Sequence, residues 1–237
     1  MISLRKLLDQ VLVAIGVVSL ASMFFAHENP FARDWWCGLA PCATLPNATP
    51  GYKILYDLAV GTFVTLIFYF LVVRLPDYRK RLRFKKLIVE QYRSFKIKSI
   101  SMLLGLADGS YSAGHPEKLI SQHEFKEYFK AQNGTGEDRW SRVANSLDDY
   151  HVRELLKACE KFRDDIAFFL NNVDVPDDKP FEFLNRLSDV IFQVRDTTTD
   201  YDDIKSLCRF LWEILAGWDW VEGYRKTDII QDMIDAI

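Results

Sequence analysis

Two uninterrupted apolar runs occupy the first third of the chain, and helical periodicity occupies most of the rest. Val11 to Ala26 and Leu58 to Val73 carry no charged side chain. Each run has 16 residues and approaches 20 when its start moves back past one Asp, to Leu7 past Asp9 and to Ile54 past Asp57. A bilayer core of about 30 Å takes about 20 helical residues. An Asp near a helix end reaches the headgroup region, where it costs less than at the centre. The runs therefore predict two membrane-spanning helices. The competing reading is a pair of buried core helices, but two such runs so close together are rare in soluble domains. Arg5 and Lys6 precede the first run, as they would in a signal peptide. No Ala-x-Ala site follows, however, and the run exceeds a usual signal core, which predicts an uncleaved anchor.

Beyond the second run the apolar spacing turns helical. Phe84, Ile88, Tyr92, Phe95, Ile100 and Leu103 predict one helix from Pro76 to about Ala107, with Pro acceptable in its first turn. Ser121 with Glu124 fits a capping box opening a helix to about Gln132. NGTG at 133–136 breaks the chain, and a helix from Glu137 to about Leu147 follows. Stripes headed by Val152, Phe181 and Ile204 predict three more helices, and Thr227 is a candidate N-cap for a short last one. No period-2 alternation is long enough for a strand. The expected fold class is all-α: two transmembrane helices followed by a cytoplasmic helical domain. Its parts are 1–76 with an external loop at 27–51, a basic juxtamembrane stem helix at 77–107, and a helical domain at 108–237.

Charge orients these parts. Arg74 to Lys98 holds ten Lys/Arg against two acids, whereas 99–237 holds 16 basic against 27 acidic side chains, or −11. The positive-inside rule places the basic segment in the cytoplasm. Two spans then return Met1 to the same side, which predicts cytoplasmic N- and C-termini. Cys37 and Cys42, with four residues between them in the external loop (CGLAPC), are candidates for a small disulfide. Cys159 and Cys208 fall at apolar helical positions and are expected to be buried and inert.

Chemistry is sparse. The chain has four histidines and no phosphate loop, HExxH motif, paired CxxC or EF-hand spacing. The Asp-rich stretches at 174–178 and 200–203 read as solvated helix starts. We expect no catalysis, no metal and no cofactor. What remains is local positive charge in an acidic domain. Arg93, Lys96 and Lys98 form one cluster beside Tyr92 and Phe95; lipid headgroups are their alternative partner. Arg139, Trp140 and Arg142 form another at a helix start, where backbone N–H groups favour anions. An aromatic side chain between arginines can stack a base while the cations hold phosphate. The alternative is a core Trp flanked by solvated arginines. The three Trp of segment 210–224 are read first as an aromatic core corner.

Two spans, a basic stem and a compact helical domain without catalytic motifs form a layout that resembles bacterial defence effectors which sense a nucleotide messenger and act on the membrane. The chain looks like the type III CRISPR ancillary membrane effector that binds cyclic tetra-adenylate, and more loosely like two-span SLATT effectors. The likeness lies in the architecture and in the general look of YRSFK (92–96) and EFKEYF (124–129). It implies an antiviral effector in the bacterial inner membrane, with cyclic oligoadenylate and the bilayer as partners and no DNA or long RNA. Two helices cannot enclose a pore, so membrane action implies a homo-oligomer. The small-xxx-small pairs Gly61/Thr65 and Ser22/Ala26 permit close helix approach. The alternative is a non-sensing two-span protein whose cytosolic domain docks a protein partner.

Overall fold

A computed structural model describes residues 4–26, 49–132, 136–175, 177–219 and 221–237. The chain is divided into two compact units, Met1–Lys80 and Arg81–Ile237.

In the first unit, α1 (Leu4–Ala26) packs against α2 (Thr49–Tyr69), which continues as a π-helical turn, Phe70–Arg74. The two run antiparallel: Gly16 faces Leu66, and Asp9 pairs with Arg74. The seam is built from small and polar residues. Ser19 and Ala59 are the buried positions, and a Cβ added at Gly16 would meet Leu66 Cδ1 at 3.6 Å. Large apolar side chains point outward instead, among them Val13, Val17, Val18, Leu58, Phe68 and Val72. A water-soluble helix pair would arrange these the other way round.

Among the described residues one helix is long and apolar enough to cross a membrane, the continuous stretch Tyr56–Asp108 that holds the second apolar run. The expectation of two spans is met by this one alone. The apolar stretch Leu7–Met23 of α1 is shorter than that measure.

α3 (Leu75–Asp108) begins where the sequence places it, but its role changes along its length. From Ile88 onward a continuous stripe is buried: Ile88, Tyr92, Phe95, Ser99, Ile100, Leu103, Leu104 and Ala107. This part belongs to the core of the second unit rather than to a stem, so the boundary lies at Lys80/Arg81 and not after residue 107. The basic side chains that suggested a stem cluster before Ile88 and hide the apolar stripe that follows.

The remaining elements are α4 (His115–Lys118), α5 (Gln122–Lys130), α6 (Arg139–Ser146), α7 (Asp149–Asn172), α8 (Asp178–Gln193), α9 (Tyr201–Leu215) and α10 (Ile229–Asp235). A two-residue antiparallel hairpin, β1 (Trp218–Asp219) and β2 (Gly223–Tyr224), follows α9. The unit is thus mostly helical, as expected. α7 lays Phe162 against α3, with its ring 5.0 Å from Phe95 and 5.4 Å from Tyr92. α5, α6 and α9 meet in an aromatic cluster of Phe125, Phe129, Trp140 and Trp212.

Aspartates start the helices. Asp138, Asp148, Asp177 and Asp228 each accept a backbone N–H in the first turn of α6, α7, α8 and α10. Two expected caps are corrected. Ser121 occupies the N-cap of α5, but its side chain makes no capping bond; the last helix is capped by Asp228, not Thr227.

Candidate functional site: a basic cleft beside the hairpin

The cleft begins with a helix end. α9 stops at Leu215, and Gly217 takes φ +66°, a left-handed conformation that glycine adopts without strain. Gln122 donates from Nε2 to Ile214 O at 2.9 Å, and Arg225 N donates to Gly217 O at 2.8 Å. These bonds fix the hairpin beside α5. Asp219 turns the hairpin by accepting from the backbone N–H of Val221 (2.7 Å) and Glu222 (3.1 Å). Those bonds hold its carboxyl below the usual carboxylate range.

Between α5, the hairpin and α10 lies a cavity of about 440 Å³. Lys96, Lys126, Arg225 and Lys226 line it against one carboxylate, Asp228, with His123 and Tyr224 beside them. Lys126 and Lys130, four apart on α5, bring their ammonium groups to 4.8 and 4.7 Å from the Tyr224 ring centre. Lys226 and His123 are exposed and make no ion pair or hydrogen bond among the described residues. Arg225 is held by Asp219 at 2.6 Å.

The cleft floor is a polar network. Asp228 accepts from the Tyr92 hydroxyl at 3.0 and 2.9 Å, from Lys96 Nζ at 3.0 Å, and from the backbone N–H of Ile230 (3.1 Å) and Gln231 (3.3 Å). Lys96 Nζ also lies 4.5 Å from the Tyr92 ring centre. Burial, and then the neighbouring Asp228, pushes the Tyr92 phenol well above its ordinary value.

The residues singled out in the sequence are dispersed. Lys96 lines the cleft, whereas Arg93, three positions earlier, is exposed, and Lys98 faces Glu154 at 4.0 Å. Arg139 and Arg142 hold the C-terminal end of α3. Arg139 Nε donates to Asp108 Oδ1 at 3.2 Å, and Arg142 donates to Ala107 O at 3.1 Å. Cations at a helix C-terminus offset its partial negative charge. Trp140 packs on Trp212 in the aromatic cluster, 4.7 Å between ring centres. Trp140 thus sits at the core as the alternative reading has it, but its flanking arginines are bonded to α3 rather than solvated. Burial raises the Tyr128 phenol, which donates to Asp108 Oδ2 at 2.5 Å, to about 12.

Cys159 and Cys208 are buried free thiols, pushed up to about 12 and about 11 by desolvation, as unreactive core cysteines are. Cys37 and Cys42 lie outside the described residues. Among the described residues no group of three or more His, Cys, Asp or Glu is placed to hold a metal ion.

Sequence reasoning missed Lys126, Lys130, Tyr224, Arg225 and Lys226. The spacing of the two lysines was readable as one helix face. Their approach to residues almost a hundred positions later was not. In comparisons with known proteins, no family model, curated protein or solved structure matches the chain.

Proposed function

We propose that the chain is a membrane-anchored effector. In this reading α1 and α2 cross the bilayer as an antiparallel pair, both termini are cytoplasmic, and the helical unit binds an anionic nucleotide messenger in the basic cleft. Binding rearranges a homo-oligomer and perturbs the membrane. Cyclic oligoadenylate, and an antiviral role at a bacterial inner membrane, are the messenger and setting that the architectural resemblance suggests. One observation carries the binding reading: Lys96, Lys126, Arg225 and Lys226 line one cavity, although residues 99–237 sum to −11. Lys96, Lys126 and Arg225 pair with Asp228, Glu127 and Asp219, which leaves Lys226, among the described residues, as the uncompensated cation that an incoming anion would meet first.

The inverted polarity of the helix pair supports the membrane part. Lipid accepts outward apolar side chains, and small residues let helices approach. It also extends the span reading to α1, whose helical length is 23 residues. Gly61 and Thr65 are exposed, with the Thr65 hydroxyl donating to Gly61 O at 2.8 Å. That leaves a strip with no unsatisfied polar group for a second copy to pack on.

The test is titration of cyclic tetra-adenylate into the full chain held in lipid nanodiscs. Saturable binding that weakens with salt is expected, with about 2.7 kcal/mol of added stability at 100 times the dissociation constant. Lys126→Ala combined with Lys226→Ala should abolish it. No thermal shift at millimolar ligand would remove the messenger reading. The protein-docking alternative draws on Phe181, Val190 and Phe192, all exposed on α8.

A further inference from the structure

A second cavity adjoins the basic cleft. It measures about 330 Å³ and lies between α8, α9 and the hairpin. Gln122, Arg225 and Asp228 line both cavities, so the two share one wall. Their characters differ. Four of the twelve residues lining the first are cationic, whereas the second is lined mainly by apolar side chains, including Phe183, Leu187, Val190, Phe210 and Ile214. Its rim is polar, with Arg186, Glu213 and Thr227.

We infer that the two cavities form one bipartite nucleotide site, with a phosphate against Lys126 and Lys226 and the nucleobase in the adjoining groove. This rests on the reading of the cleft as an anion site and adds where the base goes. Tyr224 is the nearest aromatic ring to the cations, but Lys126 and Lys130 already occupy its surroundings at 4.8 and 4.7 Å. The ring preorganises the two ammonium groups and is not the stacking platform. A flat apolar group joined to the phosphate then has a neighbouring hollow to enter, across the wall that Asp219 steadies by holding Arg225. Donors and acceptors on that rim suit the polar edge of a nucleobase; an acyl chain would use none of them. The occupant is therefore a nucleotide rather than a phospholipid.

The experiment uses the full chain in nanodiscs and calorimetric titration with three probes: adenosine 5′-monophosphate, ribose 5-phosphate and adenosine. The nucleotide should bind at least about ten-fold more tightly than ribose 5-phosphate, the range that stacking one base gives. Val190→Trp fills the groove at a position 38% exposed, where a larger side chain is tolerated. It should erase the ten-fold advantage and leave ribose 5-phosphate binding unchanged. Lys126→Ala with Lys226→Ala should weaken both phosphates alike; unchanged melting temperatures confirm folding. Equal affinity for the two phosphates, or an advantage that survives Val190→Trp, overturns the bipartite site. So does binding of cyclic tetra-adenylate with none of the nucleotide, an outcome that leaves the proposed function standing. Nucleotide binding with none of cyclic tetra-adenylate supports the bipartite site and removes the messenger reading.

Discussion

Replacing Asp228 by Ala removes one carboxylate that serves four donors. Lys96 and Asp228 side chains are 10% and 16% exposed, so the ion pair is largely shielded from water. Removing one partner of a buried pair costs about 3–5 kcal/mol, because the other charge is left without compensation. Loss of a helix N-cap alone costs about 1 kcal/mol. The same carboxylate does both jobs and is not fully buried, so we expect the low end, about 3 kcal/mol in all. For a unit of this size 1 kcal/mol moves the melting temperature by about 2–4 °C, which gives a fall of roughly 6–12 °C. The assay is thermal unfolding of the full chain in detergent, followed by far-ultraviolet circular dichroism. Lys96→Met alone should cost less, since Asp228 keeps Tyr92 and two backbone N–H groups. The double variant should recover at least about 1 kcal/mol relative to additivity. A fall below 2 °C for Asp228→Ala, or strict additivity, would refute the view that this network ties α3 to α10.

Three other outcomes follow from the same packing. Gly217→Ala drives a Cβ into Gln122 Oε1 at φ +66°; it should lower stability by about 2 kcal/mol through strain and loss of the Gln122–Ile214 bond, and an unchanged urea midpoint would contradict this. Arg139→Ala should lower the melting temperature, because Arg139 Nε donates to Asp108 at 3.2 Å; lost ligand affinity at unchanged stability would return it to the ligand site. The raised phenols of Tyr92 and Tyr128 and thiols of Cys159 and Cys208 favour their protonated forms in the fold. Their stabilisation is complete below the unfolded values, about 8.5 for Cys and about 10 for Tyr, and is lost as pH rises through the folded ones. The melting temperature should therefore decline from about pH 9 upward, less steeply in Cys159→Ala; a rise would contradict the assignment.

Much of this fold was legible in the residues. The helices of the second unit follow 3.6-residue stripes, and the Asp-rich turns read correctly as helix starts, Asp177 capping α8 by a local bond and Asp200 standing at the N-cap of α9 without one. Local rules failed where tertiary partners decide. Ser121 and Glu124 satisfy a capping pattern, yet no cap bond forms at Ser121. Arg139 and Arg142 look like anion ligands in the sequence, but the end of α3 meets them first. Lys96 looked like a surface cation and is buried, because Asp228 lies 132 positions away in sequence and in contact in space. The cleft combines α3, α5, the hairpin and α10, and no window of sequence contains all four.

Membrane leakage responding to the cleft tests the account most directly. The full chain is reconstituted into vesicles loaded with a self-quenched dye, and cyclic tetra-adenylate is added outside after the fraction of outward-facing cytoplasmic units has been fixed by protease access. The account predicts little release without ligand, release that saturates with ligand, and none from vesicles carrying Lys126→Ala with Lys226→Ala. Release that ignores the ligand, or that persists in the double variant, would contradict it.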